Sequence, residues 1–317
     1  MDLPAEASAD AARSDPVPRR GLAGLSPDSA AALELVQLTK LMELTAGRAE
    51  VRIGIIDGPV ALEHPELARA SFRAVQSRDA SCQQPGSSPC AHGTFIAGLL
   101  GARRDGAAPG LCPGCSVILR PLFLEGTDAA VPSAHAEELC QALSELLAER
   151  VDVINLSLAV RFASPSDQRA LELLLNTAAQ RGVLVVAAAG NQGSPSASLL
   201  SRHPWVLPVA ACDLQGRPLS LSNLGASVGQ RGLLAPGSRI NSLGGSGQIV
   251  AASGTSVAAP FVTGTIALLR SLAPRAAPAG LRWALAHPPQ GSRKRTIVPP
   301  LLNAWSAYLL INSKPSR

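Results

Sequence analysis

Four short segments of the sequence carry polar side chains whose types together could perform acyl transfer. Asp57 ends the apolar run IGIID, His92 precedes the apolar segment GTFIAGLL, Asn191 follows VLVVAAAG, and Ser256 opens a long apolar helical segment in SGTSVAAP. A serine hydroxyl needs an adjacent base to act as a nucleophile at neutral pH. A histidine supplies that base, a carboxylate orients the histidine, and amide donors stabilise the oxyanion.

Each of these residues has an ordinary structural explanation when it is taken alone. An aspartate after a strand caps a turn, a histidine before Gly-Thr lies in a turn, and a serine at a helix start is commonly an N-cap. The combination predicts the chemistry. Asp57 is then the orienting acid, His92 the general base and acid, and Ser256 the nucleophile. The side-chain amide of Asn191 and the backbone N–H of Ser256 form the oxyanion hole.

The order Asp, His, Ser, with the motifs DG, HGT and GTSxAxP, resembles the subtilisin-like serine proteases of the peptidase S8 family. The resemblance covers roughly residues 50 to 310. It implies that an extended peptide pairs with the segment Leu156, Ser157 and Leu158. It also implies that Ala188, Ala189 and Gly190 line the pocket for the residue before the cut, and that Gly254 allows a close approach of the substrate.

A narrower resemblance lies in IDGPVALEHPEL, which is similar to the proteases of cyanobactin and related ribosomal-peptide pathways. It implies removal of a leader sequence from a precursor peptide. His92 lies only 35 positions after Asp57, which leaves little room for the insertion of the macrocyclising relatives, so linear cleavage is favoured. The alternatives are a general intracellular subtilisin-like protease and a catalytically silent fold that binds peptides.

Apolar strand patterns alternate with helical patterns along most of the chain, which is typical of a parallel sheet covered on both faces. We expect an α/β, three-layer subtilisin-like fold with a mainly parallel central sheet. The expected organisation is a disordered tail over 1–25, a helix within 26–48 and a peptidase domain over 49–312. Strands are predicted at 51–57, 116–123, 151–158, 183–189, 206–212 and 232–236, and helices at 94–100, 133–149, 165–180 and 256–272.

Composition and charge exclude several other classes of protein. The 317 residues are 46% hydrophobic and 3% aromatic with a formal net charge of +5, and the short basic clusters lack interleaved aromatics, which disfavours nucleic-acid binding. Neither a signal peptide nor an apolar run of membrane-spanning length is expected, so a cytoplasmic location without membrane contact is predicted. We predict no cofactor and assign no metal ligand among the site residues, because the Asn-rich calcium loop of the family is missing and there is no HExxH motif.

The cysteines allow more than one interpretation. Cys82 and Cys90 bracket a turn-rich loop just before His92, whereas Cys112 and Cys115 form a CxxC. Free thiols, two local disulfides and a four-cysteine zinc site all remain open for these four residues. The other two cysteines, Cys140 and Cys212, are expected to lie in the core.

Overall fold

The structure is a computed structural model that describes residues 25–68, 70–75, 79–123, 125, 133–157, 159–161, 164–195, 198–287 and 296–313. The tail predicted over 1–25 lies outside the described residues except for Leu25. Leu158, which the family resemblance assigned to peptide binding, lies outside them as well.

Eleven strands are assigned within the described residues. They are β1 (Arg52–Asp57), β2 (Ser71–Ala74), β3 (Ser116–Pro121), β4 (Ser133–His135), β5 (Val153–Leu156), β6 (Ala159–Arg161), β7 (Leu184–Ala188), β8 (Val206–Cys212), β9 (Leu233–Pro236), β10 (Ile240–Leu243) and β11 (Ile249–Ala252). Seven of them form one sheet in the order β2-β3-β1-β5-β7-β8-β9, and every pairing in it is parallel. β4 pairs with β6 in parallel, and β10 with β11 antiparallel.

Ten α-helices are assigned in the same part of the chain. They are α1 (Pro27–Leu35), α2 (Thr39–Leu44), α3 (Ser88–Gly101), α4 (Ala136–Ala148), α5 (Pro165–Arg181), α6 (Leu199–Arg202), α7 (Ala226–Arg231), α8 (Thr255–Leu272), α9 (Pro278–Ala286) and α10 (Ala304–Asn312). Side-chain caps begin several of them. Ser26 and Ser87 each accept a bond from a backbone N–H of the first turn, and Ser164 forms a capping box with Asp167.

Alternate residues of the central strands point to opposite faces of the sheet, and both faces are buried. Ile53 and Ile55 of β1 belong to the core that α3 and α8 cover, whereas Ile56 and Ile154 belong to the core beneath α4 and α5. The expected three-layer α/β architecture with a parallel sheet is therefore confirmed.

The predicted N-terminal helix is divided into two. Gln37 has a φ of 54°, and the chain turns there between α1 and α2 while Leu38 is fully buried. Arg104 holds this segment to the domain, because its guanidinium donates to the carbonyl oxygens of Met42 and Thr45. Burial lowers the pKa of Arg104 to about 10, which leaves it charged at neutral pH.

α8 corrects the expectation that no segment reaches membrane-spanning length. Thr255–Leu272 is long and apolar enough to cross a bilayer, with a mean hydropathy of 1.2. However, 83% of it is buried inside the fold, where it packs on the sheet. Its apolar character is therefore that of a core helix.

Candidate active site

Three neighbouring strands of the sheet end beside the site. β1, β5 and β7 are adjacent and parallel, and Ile56, Leu156 and Ala187 lie in register across them. Asp57 follows that row on β1 and Ser157 follows it on β5. Because parallel strands present their carboxyl ends at one edge, these residues and the loop after β7 share the same side of the molecule.

Asp57 and His92 are brought into direct contact. Nδ1 of His92 lies 2.6 Å from Oδ1 of Asp57, which also accepts a bond from the N–H of Gly58 at 2.7 Å. Asp57 is 1% exposed, whereas the His92 side chain is 34% exposed. Burial lowers the pKa of His92. The charge of Asp57 and the hydrogen bond to it outweigh burial, so the net effect raises the pKa of His92 above its usual range.

Two glycines allow this contact because each removes a side chain from a crowded backbone crossing. A Cβ on Gly58 would lie 2.0 Å from the carbonyl oxygen of Pro89, in the first turn of α3. A Cβ on Gly93 would lie 2.4 Å from the carbonyl oxygen of Gly58. The glycines after the aspartate and after the histidine therefore let α3 approach the end of β1. His92 lies inside α3, rather than just before a helix as predicted.

Ser256 is half-buried in the first turn of α8, and its backbone is fixed by an unusual donor. Pro260 lies four residues further along the helix and has no N–H to donate to the carbonyl oxygen of Ser256. The hydroxyl of Ser157 donates to that oxygen instead, at 3.1 Å. The end of β5 is therefore bonded directly to the residue that carries the candidate nucleophile.

A buried chain of polar side chains supports Ser157. Its hydroxyl accepts a bond from Nδ2 of Asn155 at 2.8 Å, and Oδ1 of Asn155 accepts from the hydroxyl of Thr263 at 2.8 Å. Asn155 and Thr263 are fully buried. Sequence reasoning did not identify these two residues, and the only available signal was a polar pair inside two otherwise apolar runs.

Asn191 is oriented by the residue that precedes the candidate nucleophile. Its side-chain Oδ1 accepts one bond from the N–H of Thr255 and another from the Thr255 hydroxyl, both at 2.9 Å. The same hydroxyl accepts a bond from the N–H of Gly190 at 3.1 Å. Oδ1 is held on Thr255, and Nδ2 donates to no acceptor among the described residues, so it is available to an oxyanion.

Asn223, which the sequence reasoning missed, organises the loop that carries Asn191. Its Oδ1 accepts bonds from the N–H groups of Gln192 and Ser194, at 3.1 and 3.0 Å. Its Nδ2 donates to the carbonyl oxygen of Ala189 at 3.1 Å and to Oε1 of Gln192 at 2.7 Å. One buried amide therefore fixes the backbone on both sides of Asn191.

The residues that were predicted to line the pocket for the substrate residue before the scissile bond lie around this loop. Ala188 ends β7, Ala189 is buried, and Gly190 has a φ of 103° that favours glycine. Gly254 has a φ of 145°, and a Cβ there would lie 3.1 Å from Nδ2 of Asn191. Glycine is therefore required at position 254, two residues before the candidate nucleophile, by the backbone conformation and by the nearby side-chain amide of Asn191.

The assignment of Leu156 to peptide binding needs correction. Leu156 is fully buried, and β5 is paired with β1 on one side and β7 on the other, so an extended peptide has no free backbone edge there. Ser157 is 4% exposed and its hydroxyl is committed to Asn155 and Ser256. Leu156 therefore lies in the sheet beneath the site, and the Ser157 hydroxyl supports α8. The pairing of a peptide with the backbone of Ser157 stays a prediction.

The structure distinguishes among the interpretations that were open for the cysteines. Cys82 and Cys90 form a disulfide, which ties the first turn of α3 to the preceding loop. Cys112 and Cys115 are buried free thiols. The hydrogen bond to Cys115, together with burial, raises the pKa of Cys112 well above its usual range.

Comparison with known proteins places this geometry in a family context. The profile of the Subtilase family matches residues 48–294. The thermostable alkaline protease of Halalkalibacterium halodurans is 30% identical over 224 residues, which are 70% of this chain and 57% of that protein. Subtilisin E of Bacillus subtilis is 28% identical over 231 residues, 71% of this chain and 57% of that protein. The chain thus spans a little over half the length of these curated relatives.

Solved structures give the same fold over most of the chain. The prenylagaramide maturation protease PagA is 27% identical with a TM-score of 0.74, covering 86% of this chain and 98% of PagA. The protease domain of PatA is 30% identical with a TM-score of 0.74, covering 85% of this chain and 98% of that domain. The PatG macrocyclase domain is 22% identical with a TM-score of 0.73, covering 87% and 96%, and so shares the fold.

Proposed function

Because the chain belongs to the subtilase family, we propose that it is a serine endopeptidase that cleaves peptide bonds through an acyl-enzyme. The hydroxyl of Ser256 attacks the carbonyl carbon of the scissile bond. Nε2 of His92 accepts the hydroxyl proton and then donates it to the leaving amine, while Asp57 holds Nδ1 and stabilises the imidazolium. Water, activated by the same histidine, hydrolyses the acyl-enzyme.

The orientation of Asn191 is the observation that carries this proposal. A serine that only capped a helix would need no amide donor beside it. Here Thr255 holds Oδ1 of Asn191 with two bonds of 2.9 Å, and the next residue is Ser256. Nδ2 of Asn191 and the N–H of Ser256 are then the donors to the tetrahedral oxyanion, which places negative charge near the start of α8.

We further propose that the substrate is a precursor peptide made by the ribosome and that its leader sequence is removed. Two observations support this role. PagA and PatA, both named as maturation proteases, match 85–86% of this chain. The motif IDGPVALEHPEL resembles such proteases as well. Hydrolysis is favoured over macrocyclisation, because the 35-residue interval between Asp57 and His92 leaves little room for an inserted element. The small apolar residues around Ala188 favour a neutral or apolar residue before the cut.

A fluorophosphonate probe tests the enzyme proposal directly. The probe should label the native chain on Ser256, and a Ser256→Ala variant should stay unlabelled. Asn191→Ala should be labelled and should retain the fold, but should cleave peptides about 100- to 1000-fold more slowly. Equal labelling of native and Ser256→Ala chains, or no labelling of the folded native chain, contradicts the proposal.

Mass spectrometry of the products tests the role in maturation. A leader-bearing precursor peptide should be cut at the leader boundary, and the core product should carry the mass of a linear peptide, which includes the added water. A cyclic product, lighter by one water, would indicate transfer to an internal amine. Cleavage of unrelated peptides at the same rate would favour a general protease.

A further inference from the structure

We propose that Cys82, Cys90 and Glu125 form a binding site for a thiophilic divalent cation such as Zn²⁺ once the disulfide is reduced. The site lies outside the residues that perform the proposed chemistry. Three observations support this proposal: the positions of the three side chains, the hydrogen bonds that hold Glu125, and the location of the site at the start of α3.

The three potential ligand atoms already lie close together. One carboxylate oxygen of Glu125 and the two sulfur atoms all lie within 4.8 Å of one another. Oε1 of Glu125 is 3.3 Å from Sγ of Cys82. Cys90 is buried, whereas Cys82 and Glu125 are half-buried, so a cation would be partly shielded from water.

The Glu125 carboxylate is fixed in this position by three donors. Oε2 accepts from the N–H of Gln83 at 2.8 Å, and Oε1 accepts from the N–H of Gln84 at 2.8 Å and from the hydroxyl of Ser87 at 3.1 Å. Bonds of this kind orient the ligands of metal sites and strengthen them. We therefore expect these three bonds to keep the carboxylate beside the two sulfur atoms after reduction.

The ligand types select the kind of cation. Two thiolates and one carboxylate supply three protein ligands, and water completes a tetrahedron, as in open Zn²⁺ sites. Thiolates favour Zn²⁺ over Ca²⁺ and Mg²⁺, which prefer oxygen ligands. A set of two sulfurs and one oxygen is therefore a site for a thiophilic cation.

Conversion from disulfide to metal site has a simple balance. A small dithiol reductant gives two electrons and two protons to the Cys82–Cys90 bond and becomes a cyclic disulfide itself. The cation then displaces the two thiol protons as it binds. Cys82 lines an open cavity of about 500 Å³ together with Ala61, His64 and Gly245, which gives the reductant and the cation a route to the Cys82 side of the disulfide.

The proposed site lies at the start of α3, so a bound cation would affect the stability of the fold. Cys90 lies in the first turn of α3, two residues before His92, and the carbonyl of Pro89 beside it packs against Gly58. In the oxidised chain the disulfide ties this turn to the loop at Cys82. In the reduced chain the cation makes the same connection. We therefore expect the reduced protein, and not the oxidised one, to be stabilised by Zn²⁺.

Cobalt titration of the full-length Ser256→Ala chain tests the site without self-digestion. The chain is reduced with dithiothreitol, which is then removed under anaerobic conditions. The reduced chain should bind one equivalent of Co²⁺ with a thiolate-to-cobalt charge-transfer band, and Zn²⁺ should displace it. The oxidised chain should lack this band. Equal binding in both states, or none in the reduced state, overturns the proposal.

Substitutions identify the ligands. Glu125→Gln keeps the disulfide and should weaken Zn²⁺ binding by the reduced chain at least about 10-fold. A Cys112→Ala/Cys115→Ala chain removes the other close cysteine pair and should bind as before. Cys82→Ser/Cys90→Ser should abolish the band. Unchanged affinity in Glu125→Gln, or loss of the band in the Cys112→Ala/Cys115→Ala chain while it remains folded, contradicts the assignment.

Thermal unfolding of the same samples measures how much the connection between Cys82 and Cys90 stabilises the fold. Reduction with a chelator present should lower the melting temperature by about 4 °C, and Zn²⁺ should restore most of that loss in the reduced chain only. An increase in melting temperature of the same size when Zn²⁺ is added to the oxidised chain would refute the replacement of the disulfide by a bound cation. Because these measurements use the chain without its nucleophile, failure of fluorophosphonate labelling in the native chain would leave them unaffected.

Discussion

The bond between Ser157 and the carbonyl of Ser256 leads to a sharp test of how the nucleophile is positioned. Ser157→Ala removes the hydroxyl that donates to that carbonyl oxygen at 3.1 Å and that accepts from Asn155 at 2.8 Å. Two buried polar groups lose a partner, since Pro260 cannot replace the missing donor. At about 1–3 kcal/mol for each unsatisfied group, moderated by local relaxation, the expected loss in free energy of unfolding is about 2–4 kcal/mol.

A second substitution should restore part of that loss. Pro260→Ala supplies a backbone N–H four residues after Ser256, in the position of an ordinary helical donor. In the Ser157→Ala chain this N–H should recover about 1 kcal/mol, while the amide of Asn155 stays unsatisfied. In the parent chain, where the carbonyl already has a donor, the same change should gain little. The two substitutions should therefore be non-additive.

Urea denaturation of full-length chains measures these free energies. A Ser256→Ala background prevents self-digestion and keeps the bond under test, because the carbonyl of residue 256 is part of the backbone. Thr263→Val is the matched control. It breaks the same buried chain at its other end but leaves the carbonyl of residue 256 bonded, so Pro260→Ala should give no rescue. Equal effects of Pro260→Ala in the parent, Ser157→Ala and Thr263→Val chains would refute the reasoning.

Three further outcomes are expected. The raised pKa of His92 should place the acidic limb of kcat/KM above pH 6.5, since the base acts when neutral. Asp57→Asn should move that limb to lower pH and reduce kcat about 10⁴-fold; an unmoved limb in a pH–rate series would contradict this cause. Gly58→Ala should lower kcat about 100-fold by displacing α3, whereas Gly86→Ala, with nothing within 4 Å of the added Cβ, should be neutral. Thr255→Val should lower kcat about 10-fold, checked by steady-state kinetics against Thr255→Ser, which should keep the rate.

Much of the fold could be predicted from the sequence because its strands are buried on both faces. Such strands are continuous apolar runs, and six of the seven strands of the central sheet lie within runs that were identified in this way. The short edge strand β2 was missed. Its exposed and half-buried residues alternate over only four positions, Ser71–Ala74, and give a weak pattern.

The four candidate reacting groups stand in more recognisable sequence motifs than the residues that hold them. Asp57, His92, Asn191 and Ser256 each stand beside a glycine or a small residue in a short motif, which makes them visible along the chain. The contact between Asp57 and His92 agrees with the expected pairing. Asn223, by contrast, acts on a loop about 30 residues away through backbone groups, and no spacing pattern reports such a contact.

The peptide-binding assignment of Leu156 failed because local sequence does not show that β5 has a neighbouring strand on each side. The role of the Ser157 hydroxyl was missed for a related reason. A polar residue that follows an apolar strand can either face the substrate or bond to the helix that covers the sheet. Local sequence does not distinguish these cases, because the outcome depends on which helix crosses the strand end. Here α8 does so, and Ser157 is bonded to it.

The dependence of the site on α8 also limits when the proposed cleavage could begin during synthesis of the chain. Ser256 is the last of the four groups to be synthesised, and it arrives with the helix that covers one face of the sheet. A nascent chain that ends before this helix has Asp57, His92 and Asn191 but neither the nucleophile nor a closed core. On the proposed mechanism, a nascent chain is therefore inert, and cannot cleave its neighbours, until α8 has been synthesised and packed on the sheet.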